Sequence, residues 1–90
     1  MTNYFEMKVT DRSAEKQGIY KGDFLQCIHC GEEEVKNGQF VVIVKQGSDT
    51  AELGRLYRIE DKKAVVNMNN HLMEGYHFLG LALSIRRAIS

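Results

Sequence analysis

Short apolar stretches, separated by glycine, asparagine and charged residues, follow one another along this chain. Stretches of this kind, with turn signals about every 8–12 residues and no long amphipathic helix, are typical of an all-β protein. The segment 10–22 is polar and irregular, with room for one helical turn near 13–17. The pattern predicts strands at 4–9, 24–29, 39–45, 50–59, 64–68 and 76–86.

The stretch 39–45 differs from the others because its apolar residues, 40–44, follow one another without a break. A continuous apolar run predicts a strand that is covered on both faces. The pair Asn37-Gly38 directly before it is a strong turn signal, since both residue types accept a positive φ. The last strand, 76–86, is apolar and contains Gly80, where a kink is expected.

These elements predict one all-β domain that spans residues 1–90. The pattern leaves a sandwich, a barrel or a clip open as its architecture, with at most a short helical turn. A domain of this size buries only about 60–65% of the surface that its unfolded chain exposes. The core is therefore thin, and contact with a second copy or a further domain would add to its stability.

The balance of charges excludes one class of function. Twelve basic and twelve acidic side chains give a net charge of zero, and 32–34 is an acidic run. A free-standing nucleic-acid-binding domain carries a basic excess that neutralises phosphates, so we expect no direct contact with nucleic acid.

No apolar run reaches the roughly 18–20 residues of a membrane span, and no signal peptide is recognisable. The expected location is the reducing cytoplasm, without membrane contact.

Cys27, His29 and Cys30 offer atoms that zinc accepts. On a strand, however, Cys27 and His29 face one side and Cys30 faces the other. No second cysteine pair follows at the spacing of a zinc finger or ribbon. We therefore predict no metal and no cofactor, although a metal-binding or ligand-binding β domain remains an alternative.

Several short motifs occur in an order that resembles one known family. The motifs are the segment 9–14, Gly18-Ile19, Gly22-Asp23, Asn37-Gly38-Gln39 with Val41-Val42, Arg55-Leu56, Asn67 or Asn69, and the segment 79–82 followed by Arg86. With these motifs in this order, from about Phe5 to Arg87, the chain resembles the C-terminal domain of LexA, of phage repressors and of the related self-cleaving mutagenesis proteins.

This resemblance implies a β-clip or small distorted β-barrel, a homodimer and a Ser–Lys dyad that cuts the protein's own chain. Ser13 occupies the position of the nucleophile, with Ala14 in place of the family's usual methionine. Gly54, directly before Arg55-Leu56, occupies the position of the catalytic lysine. The family's activity therefore depends on a side chain that this sequence lacks.

A serine hydroxyl is a poor nucleophile until a base takes its proton. Glycine at position 54 supplies no base, and the guanidinium of Arg55 does not deprotonate in proteins. Loss of the base typically removes several orders of magnitude of rate. A relocated base remains open, and the candidates are Lys16, Lys45, His29 and His77.

The sequence thus predicts a catalytically inactive LexA-like domain that serves dimerisation or regulatory interaction in transcriptional control. Its expected partners are a second copy and a helix-turn-helix DNA-binding domain or repressor. The alternative is an active self-cleaving peptidase that uses Ser13 with a relocated base.

Overall fold

The computed structural model describes residues 3–87, and these residues form an all-β protein, as predicted. The only helical elements among them are two 3-10 turns, Glu15–Gln17 and Glu32–Glu34. No helix in this part of the chain has the length and apolar character to span a membrane. The strands are β1 (Tyr4–Lys8), β2 (Phe24–His29), β3 (Phe40–Lys45), β4 (Ala51–Ile59), β5 (Lys62–Asn67), β6 (Leu72–Met73) and β7 (Tyr76–Arg86).

The seven strands form one antiparallel sheet in the order β1-β2-β7-β3-β4-β5-β6. Strands β3 to β6 follow one another as hairpins, and β1 and β2 form a separate hairpin. The last strand, β7, lies between β2 and β3 and joins the two groups. This arrangement fits a small barrel-like all-β fold.

The core consists of two clusters on opposite faces of the sheet. Val42 of β3 belongs to the first cluster, which the segment 9–19 covers, while Val41 and Ile43 belong to the second, which Val35 covers. All three β3 side chains are fully buried. The prediction that this strand is covered on both faces is therefore confirmed.

Strand β7 contains two irregularities in its pairing. Along β3, the register shifts between Val42 and Ile43, which leaves Leu79 of β7 as an extra residue. Along β2, the register shifts between Gln26 and Cys27, which leaves Leu83 of β7 as an extra residue. Next to the first bulge, a Cβ on Gly80 would lie 2.2 Å from the carbonyl oxygen of Ile28. Only glycine permits this approach of two backbones.

Beyond Leu81, β7 pairs with β2 alone. One edge of the segment 82–86 is therefore unpaired within the described part of the chain. Leu83 and Ile85 lie in this segment and are 51% and 42% exposed. An unpaired edge with exposed apolar side chains is a surface on which another strand can add.

Candidate functional site

Ser13 lies in the connection between β1 and β2, just before the 3-10 turn Glu15–Gln17. Its backbone N–H and its hydroxyl both donate hydrogen bonds to Oδ1 of Asp11, at 2.9 and 2.6 Å. An aspartate that accepts from the residue two positions later forms an Asx-turn. The local role of this pair is to fix the turn, and the sequence signal for it is the spacing Asp-x-Ser.

The same two hydrogen bonds determine the state of the Ser13 hydroxyl. Because both stabilise the carboxylate, the side-chain bond first, they hold the pKa of Asp11 below its usual range. A carboxylate with a lowered pKa is a weak base at neutral pH. Within residues 3–87, no amine or imidazole makes a hydrogen bond with Ser13, whose hydroxyl donates to Asp11 instead.

Ser13 lines a cleft of about 200 Å³ between the end of β1 and the start of β4. Lys45, one of the four candidate bases, also lines this cleft, and its side chain is exposed. The structure thus brings Lys45 to the same cleft as Ser13 without a hydrogen bond between them. The lining residues are Met7, Val9, Thr10, Asp11, Ser13, Ala14, Lys45, Ser48, Thr50, Ala51, Glu52, Leu53 and Met68.

The other candidate bases differ in their positions. Lys16 is exposed and lines a neighbouring groove that also contains Ser13. Nδ1 of His29 lies 3.1 Å from the carbonyl oxygen of Leu79, and its ring stacks on Phe5. His77 is exposed on β7, opposite Val44. Neither histidine lines the Ser13 cleft.

Gly54 lies in β4 between Val41 of β3 and Asn67 of β5. A Cβ at this position would lie 2.8 Å from Cγ1 of Val65 and 3.7 Å from Cγ2 of Val41, which both belong to the second cluster. Leu53, the preceding residue, lines the Ser13 cleft. Because successive residues of a strand face opposite sides, position 54 points away from Ser13. The structure does not bring the two predicted site residues together.

The cysteines are free and occupy different clusters. Cys27 is fully buried, its Sγ donates to the carbonyl oxygen of Leu25, and burial raises its pKa to about 11. Cys30 packs against the second cluster, and burial raises the pKa of its thiol as well. Metals bind the thiolate, so both raised pKa values oppose coordination. Residues 3–87 contain no group of three His, Cys, Asp or Glu side chains that would hold a metal ion.

One buried charge, Asp23, was named from the sequence only as part of the Gly22-Asp23 motif, without a role of its own. Asp23 is only 3% exposed, and its carboxylate accepts two hydrogen bonds from Arg87, both at 2.9 Å, and one from the backbone of Tyr20 at 2.8 Å. These bonds, the first from Arg87, lower its pKa to about 2. The pair connects the loop before β2 to the end of β7, a contact between residues too far apart in sequence for a local pattern to reveal.

No family model matches the chain, and no curated protein matches it.

Proposed function

We propose that this chain is a catalytically inactive domain of the LexA type, which serves dimerisation or regulatory interaction in transcriptional control. The resemblance in sequence supports it, and the all-β sheet is compatible with it. Two turns on which the resemblance depends have glycines with positive φ, Gly22 at 95° and Gly38 at 85°. Glycine is favoured in this conformation because it has no Cβ.

One observation supports the absence of activity above the others. The hydroxyl of Ser13 donates a hydrogen bond to an Asp11 carboxylate whose pKa is lowered, so this acceptor is a weak base. Position 54 adds no amine, and a side chain there would face the second cluster. A nucleophile needs a base within hydrogen-bond reach, and Ser13 makes no hydrogen bond with a lysine or histidine of the described residues.

The test is self-cleavage at alkaline pH. The chain is joined to an N-terminal segment, incubated, and examined by mass spectrometry beside the Ser13→Ala variant. We expect both proteins to stay intact to the same extent. Cleavage that requires Ser13 would overturn the proposal.

A second candidate is a self-cleaving peptidase with a relocated base, favoured by the presence of Lys45 in the Ser13 cleft. It predicts cleavage that rises with pH and is lost in both Ser13→Ala and Lys45→Met. Lys36→Met is the matched control, because Lys36 is also exposed but does not line the cleft. Cleavage that persists in Lys45→Met would exclude this base.

For the dimer, the unpaired edge of β7 at 82–86 is the surface we favour. Leu83 and Ile85 are exposed there, beside a strand edge that pairs with no other described strand. In an antiparallel pair of two copies, each copy would satisfy the backbone groups of the other. The small core of the domain gives such an association a further reason to be stable.

Sedimentation of the native chain and of Leu83→Glu tests this surface. We expect a dimer that dissociates when a charge replaces Leu83. Ile59→Glu is the control, because Ile59 is also exposed, at 73%, but lies at the far end of β4. A native chain that is monomeric at every concentration would contradict the proposal.

The proposed setting is the cytoplasm, next to a helix-turn-helix domain or repressor that contacts the DNA. The free thiols of Cys27 and Cys30 support a reducing compartment. The neutral net charge supports a partner, rather than this domain, as the part that binds phosphates.

A further inference from the structure

A larger groove adjoins the Ser13 cleft and opens between the end of β1 and the loop 10–22. Its volume is about 580 Å³, within the range of roughly 300–1,000 Å³ that is usual for small-molecule sites. Neither the resemblance to the LexA type nor the proposed function assigns a role to it. The lining residues are Lys8, Val9, Thr10, Arg12, Glu15, Tyr20, Lys21 and Gly22.

The charge of this groove differs from that of the whole chain. Three cationic side chains, Lys8, Arg12 and Lys21, line it beside a single carboxylate, Glu15. Arg12 Nε lies 3.7 Å from Oε1 of Glu15, so these two charges partly neutralise each other. Lys8 and Lys21 form no ion pair with the described residues. The groove therefore concentrates positive charge in a chain whose net charge is zero, which favours an anionic ligand.

An aromatic ring lies in the same groove. Tyr20 is 47% exposed although its ring contacts the guanidinium of Arg87, whose Cζ lies 4.9 Å from the ring centroid. Arg87 is itself held by Asp23. An exposed ring held in this way offers a stacking surface for a flat group.

The backbone around the groove is held in place before any ligand binds. Val9 N–H donates to the carbonyl oxygen of Asp23, and Gly22 N–H donates to that of Val9, both at 2.8 Å. The N–H of Tyr20 donates a hydrogen bond to the carboxylate of Asp23, and the carbonyl oxygen of Tyr20 accepts one from the backbone N–H of Asp23. A site that is already ordered loses little conformational freedom on binding.

We propose that this groove binds a small phosphorylated ligand that carries a flat ring, of the mononucleotide class. The phosphate contacts Lys8, Arg12 and Lys21, and the ring packs against Tyr20. The proposal is independent of dimerisation and of the absence of cleavage, and it concerns a free small molecule rather than a polynucleotide.

Titration of the full chain with adenosine monophosphate, adenosine and inorganic phosphate, followed by calorimetry and amide NMR shifts, tests the proposal. We expect the monophosphate to bind more tightly than either of its parts, with shifts confined to 8–22, and binding to weaken as salt is added. Exposed charge pairs contribute modestly, so the double variant Lys8→Gln/Lys21→Gln is expected to weaken binding by about tenfold. Tyr20→Leu removes the ring and should reduce the preference for the monophosphate over phosphate.

Lys62→Gln is the control, since Lys62 is exposed in β5 and does not line the groove. The proposal is overturned if the monophosphate does not bind at millimolar concentration, or if Lys62→Gln weakens binding as much as the double variant. Equal affinity for phosphate and the monophosphate, unchanged in Tyr20→Leu, would contradict the role of the ring. Binding of a single-stranded oligonucleotide without binding of the monophosphate would assign the groove to another class of ligand.

Discussion

Gly80 lies where β7 approaches β2 more closely than any side chain permits. A Cβ there would lie 2.2 Å from the carbonyl oxygen of Ile28 and 2.9 Å from Cε1 of Phe5. The first contact is with backbone in the middle of the sheet, which cannot move without disturbing the pairing of two strands. The glycine is thus a packing requirement, and its φ lies outside the left-handed region.

We expect Gly80→Ala to lower the free energy of unfolding by about 1–3 kcal/mol, the usual range for an overpacked core. Urea unfolding followed by circular dichroism measures this. Gly31→Ala is the matched control, because the atoms in its way belong to the flexible, exposed side chain of Glu33. An unchanged midpoint for Gly80→Ala would show that the two strands can separate at low cost.

The lowered pKa of Asp23 predicts how the free energy of unfolding depends on pH. Its pKa is lowered to about 2 from an ordinary value of 3.8, chiefly by Arg87. A group whose pKa is lower in the folded state stabilises that state above its unfolded pKa, and the contribution is lost as pH falls. The stabilising contribution of Asp23 is therefore complete above about pH 4 and is lost between about pH 4 and pH 2.

The measurement is urea unfolding of the native chain and of Asp23→Asn at several pH values. Asp23→Asn is expected to be less stable at neutral pH and to depend less steeply on pH between about 4 and 2. Arg87→Gln should reproduce both effects, because it removes the partner. Parallel pH profiles for the native chain and Asp23→Asn would contradict the assigned role.

At the scale of elements, the segment 30–37 covers the second cluster without being a strand. Arg58 of β4 holds it, since Nε donates to the carbonyl oxygen of Val35 at 2.8 Å and an Nη donates to that of Glu32 at 2.7 Å. The side chain of Glu32 accepts hydrogen bonds from Lys63 and from the hydroxyl of Tyr76. Three strands thereby fix one loop over the core.

We expect Arg58→Met to destabilise the fold by about 1–3 kcal/mol, because it leaves two carbonyl groups without their charged donor. Amide exchange should accelerate most in the segment 31–38. Arg12→Met is the control, since the side chain of Arg12 is 80% exposed and its change should stay within about 0.5 kcal/mol. Equal effects of the two substitutions would contradict the role of Arg58.

The elements differ in how far the sequence could predict them. The run 40–44 predicted β3 and its burial because a continuous apolar pattern is a local signal. The two residues of β6 were missed, since Leu72–Met73 is too short to show a period. The bulge at Leu79 lies next to Gly80, where the sequence predicted a kink, whereas the bulge at Leu83 depends on the partner strand β2 and has no local pattern.

The candidate site shows the same limit. Ser13 was singled out through the resemblance, but Asp11, its hydrogen-bond partner, was visible only as an Asp-x-Ser spacing. The presence of Lys45 in the same cleft follows from the pairing of β3 with β4 and not from its own neighbours in sequence. The direction of position 54 likewise required the register of the sheet.

For the whole molecule, we expect the two clusters to unfold as one cooperative unit. They share β3, whose Val42 lies in the first cluster and whose Val41 and Ile43 lie in the second. Strand β7 also contributes to both, with Leu79 against the first and Phe78 against the second. Loss of packing on one face therefore disturbs strands on which the other face depends.

This arrangement predicts that Leu25→Ala, in the first cluster, and Leu56→Ala, in the second, each destabilise the whole sheet, which still unfolds in a single transition. Each side chain is at most 1% exposed, so each substitution should reduce the free energy of unfolding by about 2–5 kcal/mol. Circular dichroism and amide exchange should agree, with β2 and β5 losing protection together. If Leu25→Ala exposed the amides of β1 and β2 while those of β4 and β5 stayed protected, β7 would be a joint between two independent halves. A single unfolding transition in both variants would mean that β3 and β7, which both clusters share, spread the loss of packing in one cluster to the other.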